Sequence, residues 1–496
     1  MYLVVFFLLF TAPLFAIHWP LLDLPFFWDE QGQFIPTALD LLHSGAWVAH
    51  STIPNVHPPG VEAYLVGWYK LFGFSIPVTR AAMLAMAGLA LLFTFLLAIE
   101  LSKDADGAPA FLPPFLLLAS PLFYTQSMMA QLDMPAMVFT LLSLVLFIRR
   151  KYALCAAACV ALVLVKETGV VAAAVFFAIL LRRKEWKRAA LFAVPGIALA
   201  AWLLVLHRAT GYWLGNPGFA HYNVAYALHP VRIALSFARR VYYIFFAEFR
   251  WIGTVVLIWA LRKRKLFGSE AWRVTLAVAG ATIVLVSVLG GAELERYVLP
   301  VLPVFYIAVS VALTLLPRRA ALASTAALFL GLIASLFWNP PYPFPYENNL
   351  AMVDFVRLQQ TASAYAEEHL KGLTVATAWP YTAGMENSAY GFVNHKLPVI
   401  ETNDFHFSSI QNLPDTGYDA LITYSRTWAP PGGVIALSLV RRFLTKFYDW
   451  QPNITPAECE ALGLTQVASW KLRGQEADVY VRNRLLHPEP LAYLRR

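Results

Sequence analysis

Charge is what this sequence has least of. Asp, Glu, Lys and Arg make up 14% of its 496 residues, and 30 acids face 38 bases. A soluble domain carries about 25% charged and roughly 45–50% apolar residues; here 59% are hydrophobic. The shortage excludes a chain that is water-soluble along most of its length. Cysteine is scarcer still, with three residues. Cys155 and Cys159 lie four apart inside an apolar run and Cys459 is alone, so no disulfide or metal framework is available and these read as small packing residues. No internal repeat is evident. The first apolar run, Met1 to Ile17, lacks a basic leader and an A-x-A cleavage site, and is expected to be retained as a first helix.

What is present is a series of apolar runs near the ~20 residues needed to cross a ~30 Å hydrocarbon core. About eleven spans are expected, over 1–17, 81–101, 110–126, 134–149, 152–166, 168–182, 189–207, 243–261, 272–291, 297–316 and 320–337. The formal charge of +8 is placed as a membrane protein places it. Basic clusters fall at span ends: Arg149-Arg150-Lys151, Arg182-Arg183-Lys184 with Lys187 and Arg188, Arg262 to Lys265, and Arg318-Arg319. With the amino terminus inside, every cluster is cytoplasmic, as the positive-inside rule requires. The remaining inside loop, Ser102–Pro109, carries Lys103 with Asp104 and Asp106. No basic stretch carries interleaved aromatics on a soluble element, which excludes a nucleic-acid partner.

The same topology sends to the outer face the loop 18–80, the turns at 125–133, 166–168 and 293–296, the loop 208–242, and everything after Trp338. Phe34–Leu42 and Val61–Phe72 in the first loop have apolar residues at helical spacing and suit the interface, with lipids as neighbours; Val231–Phe246 looks similar. Two domains are expected: a membrane domain over 1–337, and an extracytoplasmic α/β domain over 338–496 entered through the stiff Asn339-Pro-Pro-Tyr-Pro-Phe-Pro345. In the latter, 348–370 reads as an amphipathic helix, and 374–379, 398–402, 420–424, 467–472 and 478–482 as short strands.

The acids on the outer face recur at helix ends: Asp29-Glu30, Asp133, Glu167, and Glu293 with Glu295. Lys166, Arg296 and Arg80 lie beside them or at the same level. Carboxylates can activate a hydroxyl and cations can hold a phosphate leaving group. Both halves of a glycosyl-transfer site are therefore available on one face.

Several of these elements resemble the protein O-mannosyltransferase family and the aminoarabinose transferases that modify lipid A. The carriers are Phe27-Trp-Asp-Glu-Gln31, His57-Pro-Pro-Gly60 with Tyr64, Arg80 after Ile76-Pro-Val78, Ser120-Pro-Leu-Phe123 with Gln131-Leu-Asp-Met134, Lys166-Glu167, and Glu295-Arg-Tyr-Val-Leu-Pro300. They occur in family order over residues 1–316. The resemblance implies a GT-C type polytopic α-helical fold and an inverting transfer of a sugar from a polyprenyl-phosphate donor to an acceptor lipid, glycan or protein. It implies a bacterial inner membrane with the C-terminal domain outside.

By the same resemblance Asp29 would be the general base, with Glu30 supporting it or merely solvated. Asp133 would bind acceptor or sugar, or else cap its helix ahead of Pro135. Arg296, with Tyr297 beside it, would hold the donor phosphate, unless it pairs with Glu293 or Glu295. Lys166 and Glu167 would form an ion pair lining the site, with Lys166 able to reach phosphate. His57 would meet sugar or phosphate or fix its loop, and Arg80 would meet phosphate or snorkel to headgroups. Asp29, Glu30 and His57 could ligate a divalent ion, but Arg and Lys can neutralise a monophosphate leaving group, so no metal or other cofactor is expected. The family's central lumenal trefoil has no room in loop 208–242, so peptide recognition is not implied.

Two other classes compete. A secondary transporter should show inverted repeats, interrupted spans and ionisable groups at midplane; Glu248 and Arg250 lie inside a possible span, but two residues apart they would not pair on a helix. A non-catalytic subunit of a cell-envelope polysaccharide assembly would not need acids and cations to converge. The topology gives the first prediction. A reporter active only in the cytoplasm, fused after Arg496, should stay silent; strong activity would overturn the orientation.

Overall fold

A computed structural model of the chain describes residues 2–103, 107–414, 416–429 and 432–486. Asp104 and Asp106 of the expected charge-poor loop lie outside the described residues. The chain forms two compact units, each made of separate stretches of the chain. One unit comprises Met1–Leu22, Gln33–Trp338 and Glu347–Asn349; the other comprises Asp23–Gly32, Asn339–Tyr346 and Leu350–Arg496.

In the first unit, six helices among the described residues are long and apolar enough to cross a membrane: Tyr2–Leu21, Ile76–Leu101, Trp186–Thr210, Glu270–Leu289, Glu295–Leu313 and Arg318–Phe337. A seventh is obtained if Pro230–Phe245 and Arg250–Lys263, bent by 86°, count as one. The chain is a polytopic membrane protein. All eleven expected segments contain helix, but the others are short or broken. Asp133–Ile148 and Tyr152–Val165 are apolar but short. Leu112–Ala119 is separated from Pro121–Gln126 at Ser120, where the proline offers no amide to continue the ladder. Val170–Arg182 has 13 residues, roughly 20 Å at 1.5 Å per residue, well under a hydrocarbon thickness. Hydropathy counts apolar residues and is blind to continuity, which is why the sequence reading treats all eleven alike.

The expected interfacial stretches are helices Ile35–Ser44 and Gly60–Phe72. The expected span 243–261 is corrected. Glu248 and Phe249 both take left-handed backbone, with φ of 53° and 62°, and the chain turns there. That turn also corrects the expectation that Glu248 and Arg250 stay apart. Outside a helix the two-residue spacing no longer separates them, and Arg250 Nη1 reaches Glu248 Oε2 at 2.6 Å.

The second unit is α/β. Its five-stranded sheet runs β2-β1-β3-β5-β4, from β1 Val375–Ala378, β2 Val399–Thr402, β3 Ala420–Tyr424, β4 Leu464–Leu472 and β5 Gln475–Arg482. β1 pairs parallel with β2 and β3, and β5 antiparallel with β3 and β4. The β4–β5 hairpin turns on Arg473 and Gly474, both at positive φ (46° and 85°), as a two-residue primed turn demands. β4 begins three residues before the expected strand, because a register shift between Gln466 and Ala468 interrupts the alternation. Helix Ala351–His369 covers the sheet.

The short strip Asp23–Gly32 completes this unit's core. Phe26 and Phe27 are buried. Phe27 and Trp28 meet the Phe355 ring at 5.6 and 5.2 Å between centroids, and Trp28 meets Trp379 edge-on at 5.3 Å. Gln31 Nε2 donates to the Phe26 carbonyl at 2.7 Å, and the Gln31 and Gln359 amides lie 3.2 Å apart. Gly32 is required by closeness: a Cβ there would stand 2.4 Å from Trp379 Nε1. Gly32→Ala should therefore destabilise by about 1–3 kcal/mol, as overpacking does. Gly67→Ala, on a helix with nothing within 4 Å of the added atom, should be neutral or slightly stabilising. Thermal unfolding of both in detergent, read by fluorescence, checks the contrast; equal melting points would refute it.

Candidate functional site

In the first unit, three chain breaks bring charges together. Asp133 is the first residue of helix Asp133–Ile148. Lys166 is extended (φ −150°, ψ 120°) and ends helix Tyr152–Val165 before the turn Glu167–Gly169. Arg296 and Tyr297 lie in the tight helical segment Glu295–Val301. Lys166 Nζ donates to Asp133 Oδ1 at 2.5 Å. Arg296 Nε lies 3.3 Å from Asp133 Oδ2, and Arg296 Nη1 donates to Glu347 Oε2 at 3.2 Å. Lys166 Nζ also sits 4.4 Å from the centre of the Tyr297 ring, within cation–π range. Asp133, Lys166, Arg296 and Glu347 are 3%, 7%, 5% and 4% exposed, so screening by water is slight and each charge relies on its partners.

Several expectations change here. Lys166 and Glu167 are not an ion pair: Lys166 turns to Asp133, while Glu167 Oε2 meets His57 Nδ1 at 2.8 Å. Burial opposes ionisation of Glu167, yet the charge and hydrogen bond of His57, with Lys166 nearby, hold its carboxyl below the usual range. Gly60 makes the His57 contact reachable, since a Cβ there would lie 2.4 Å from the Leu164 carbonyl oxygen; the two backbones touch just before Lys166. Asp133 spends its carboxylate on cations rather than on capping its helix. Arg296 pairs with Asp133 and Glu347, whereas Glu293 and Glu295 lie 3.8 and 2.5 Å from Arg239. Arg80 is 0% exposed and donates to the Met128 carbonyl at 2.9 Å. It braces the turn leading to Asp133 and does not snorkel.

Sequence reasoning missed Glu347, Arg239 and Arg240. Arg240 Nη1 donates to the carbonyls of Glu293 and Leu294 at 3.1 and 2.6 Å, fixing the turn from which Arg296 projects. A signal existed for the pair: two adjacent arginines on an amphipathic stretch expected outside run against the positive-inside rule. Glu347 directly follows the proline-rich segment, where only a helix start was sought.

Asp29 and Glu30 belong to the second compact unit. Glu30 is fully buried, and its Oε2 accepts from the Phe27 amide at 2.8 Å. It is thus not solvated but closes the turn that holds half-exposed Asp29.

Asp133, Lys166 and Tyr297 line a cavity of about 360 Å³ whose further wall is apolar, with Leu162, Val171 and Val286. Lys166 is the cation of this lining, and a cation beside an apolar wall can take a phosphate against the one and a hydrocarbon chain along the other. Among the described residues no group of three or more His, Cys, Asp or Glu is arranged to hold a metal ion.

Long apolar helices, amphipathic helices in the first loop and a C-terminal α/β unit make up a fold that is also found among solved membrane proteins. Among solved structures it is similar to ArnT from Cupriavidus metallidurans in the apo state, at a TM-score of 0.53 and 16% identity, covering 96% of this chain and 97% of that one. It is also similar to the same protein bound to undecaprenyl phosphate, at a TM-score of 0.52 and 14% identity, with the same coverage. At these identities the likeness is one of fold. No protein-family model matches the sequence, and no curated protein matches it significantly.

The cluster predicts its own fragility. Asp133→Asn leaves Lys166 and Arg296 buried with one carboxylate removed from between them. The cost should be about 3–5 kcal/mol, as for breaking a buried pair from one side. A drop of several degrees in the melting temperature of the ligand-free protein checks this; an unchanged value would show the cations to be solvated.

Proposed function

We propose that the chain is an inverting glycosyltransferase. It moves a sugar from a polyprenyl-phosphate donor to a hydroxyl of a lipid, glycan or protein acceptor on the extracytoplasmic face of a bacterial inner membrane. The observation that carries this is the buried Lys166–Asp133–Arg296 cluster, of which Lys166 and Asp133 line a cavity with an apolar wall. The ArnT structure of like fold was solved with undecaprenyl phosphate bound, which is consistent with such a ligand.

In this reading the acceptor oxygen forms its bond to the anomeric carbon as the bond from that carbon to phosphate oxygen breaks. The carrier leaves as a phosphate monoester, one charge more negative than the donor diester. Lys166 and Arg296 are suited to that gain, because fixed cations in a dry site stabilise charge as it develops. Asp133 holds them in place until phosphate arrives. Asp29 takes the acceptor's proton, and Glu30 keeps Asp29 presented. His57, through Glu167, and Arg80, through the Met128 turn, position this apparatus, and Tyr297 flanks the phosphate. Two cations are enough to neutralise a monophosphate, so the reaction is proposed to run without a metal.

Removing one charge-assisted contact to phosphate costs about 1.5–3 kcal/mol, or roughly 10–150-fold in affinity. Arg296→Ala should weaken undecaprenyl phosphate binding in nanodiscs by that factor. Asp29→Asn should leave that binding intact and lower transfer from a labelled lipid donor by about 10²–10⁴-fold, the usual worth of a general base. Unchanged binding in Arg296→Ala would remove it from the site. Near-normal transfer in Asp29→Asn would move the base elsewhere.

A further inference from the structure

A second cleft in the first unit shares no lining residue with the first cavity. It offers about 330 Å³ beside helices Ile35–Ser44 and Gly60–Phe72 and is lined by Gln33, Asn55, His57 and Glu62, with Phe34 and Trp47 among its walls. Part of that space is open to solvent, so a ligand here would sit partly exposed. Glu62 is its most unusual member. The side chain is 4% exposed, and its Oε2 has no hydrogen-bond partner among the described residues. Burial pushes the carboxyl up to about 7 despite its own backbone amide and the charge of His57. A buried acceptor left unmet is costly, and a ligand hydroxyl would meet it.

The chemistry of the lining selects a ligand. A carboxyl near neutrality both donates and accepts, and two side-chain amides add donors and acceptors on the same walls. Phe34 and the 56% exposed Trp47 supply aromatic faces. Together these suit a compact ring with hydroxyls on its edge and C–H groups on its face. His57 lines this cleft and pairs with Glu167, so one hydrogen bond ties the cleft wall to the turn that follows Lys166.

We propose that this cleft is a monosaccharide subsite in which Glu62 binds ring hydroxyls. The inference rests on the glycosyltransferase reading. The sugar could arrive on the donor or belong to the acceptor, and the chemistry is the same.

The full chain in nanodiscs is mixed with D-mannose, D-glucose, D-galactose and D-arabinose in turn, and saturation transfer to sugar protons is recorded by NMR. At least one sugar should receive saturation. Glu62→Met, similar in volume and apolar, should weaken that binding at least tenfold while the melting temperature stays level or rises, because an unmet polar group has been removed. Trp47→Ala, at an exposed position, should weaken it as well. No transfer from any sugar, or transfer unchanged in both variants, overturns the proposal; so does a fall in melting temperature of Glu62→Met with sugar binding intact. Displacement by the same sugar on undecaprenyl phosphate, but not by undecaprenyl phosphate alone, assigns the cleft to the donor sugar; displacement by neither assigns it to the acceptor. Undecaprenyl phosphate binding in the same samples separates the two readings. If it binds and the sugars do not, only the subsite fails; if it does not bind, the proposed function fails.

Discussion

One carboxylate organises the first unit. Asp133 lies between Lys166 and Arg296, all three nearly sealed from water. Two cations in such a place are tolerable only when an anion is held against them. That requirement explains why three helices break where they do. The chain stops being helical at Lys166, and a new tight helical turn opens at Glu295, so that Lys166 and Arg296 both reach the start of the helix that carries Asp133. The outer supports follow from it: Arg80 ties the turn ahead of Asp133, and Arg240 ties the turn ahead of Arg296.

Such a cluster is stable in itself and also exchangeable. An anion that offers more oxygens than one carboxylate can compete for the same cations without any rearrangement of the helices that present them. An anion with a hydrocarbon tail would gain further by lying along the apolar wall, whereas an inorganic one would not.

Much of this was legible in sequence because it depends on patterns local to the chain. The interfacial helices, the five strands and the one-sided placement of Asp133, Lys166 and Arg296 all come from periodicity and charge position. What was not legible depends on backbone direction at single residues. Lys166 and Glu167 are adjacent and of opposite sign, so they read as a pair, yet an extended residue sends their side chains to different partners. Glu248 and Arg250 read as unpaired because a helix was assumed across them; two left-handed residues undo the assumption. Glu347 was hidden by distance, being 51 residues from Arg296. The count of spans failed for a related reason, since a proline at 121 leaves the hydropathy unchanged while ending the helix before it.

The strip that carries Asp29 has a consequence in time. It is made near the start of synthesis, but Gln31 meets Gln359, a partner 328 residues later in the chain, and Phe27 must likewise wait for Phe355. Until nearly three-quarters of the protein has left the ribosome, the acid has no seat. A chain cut short by nonsense mutation or proteolysis would insert its first helices normally and still lack a fixed Asp29. Assembly thus works as a completeness check, with a late-made part deciding whether an early-made one is held in place.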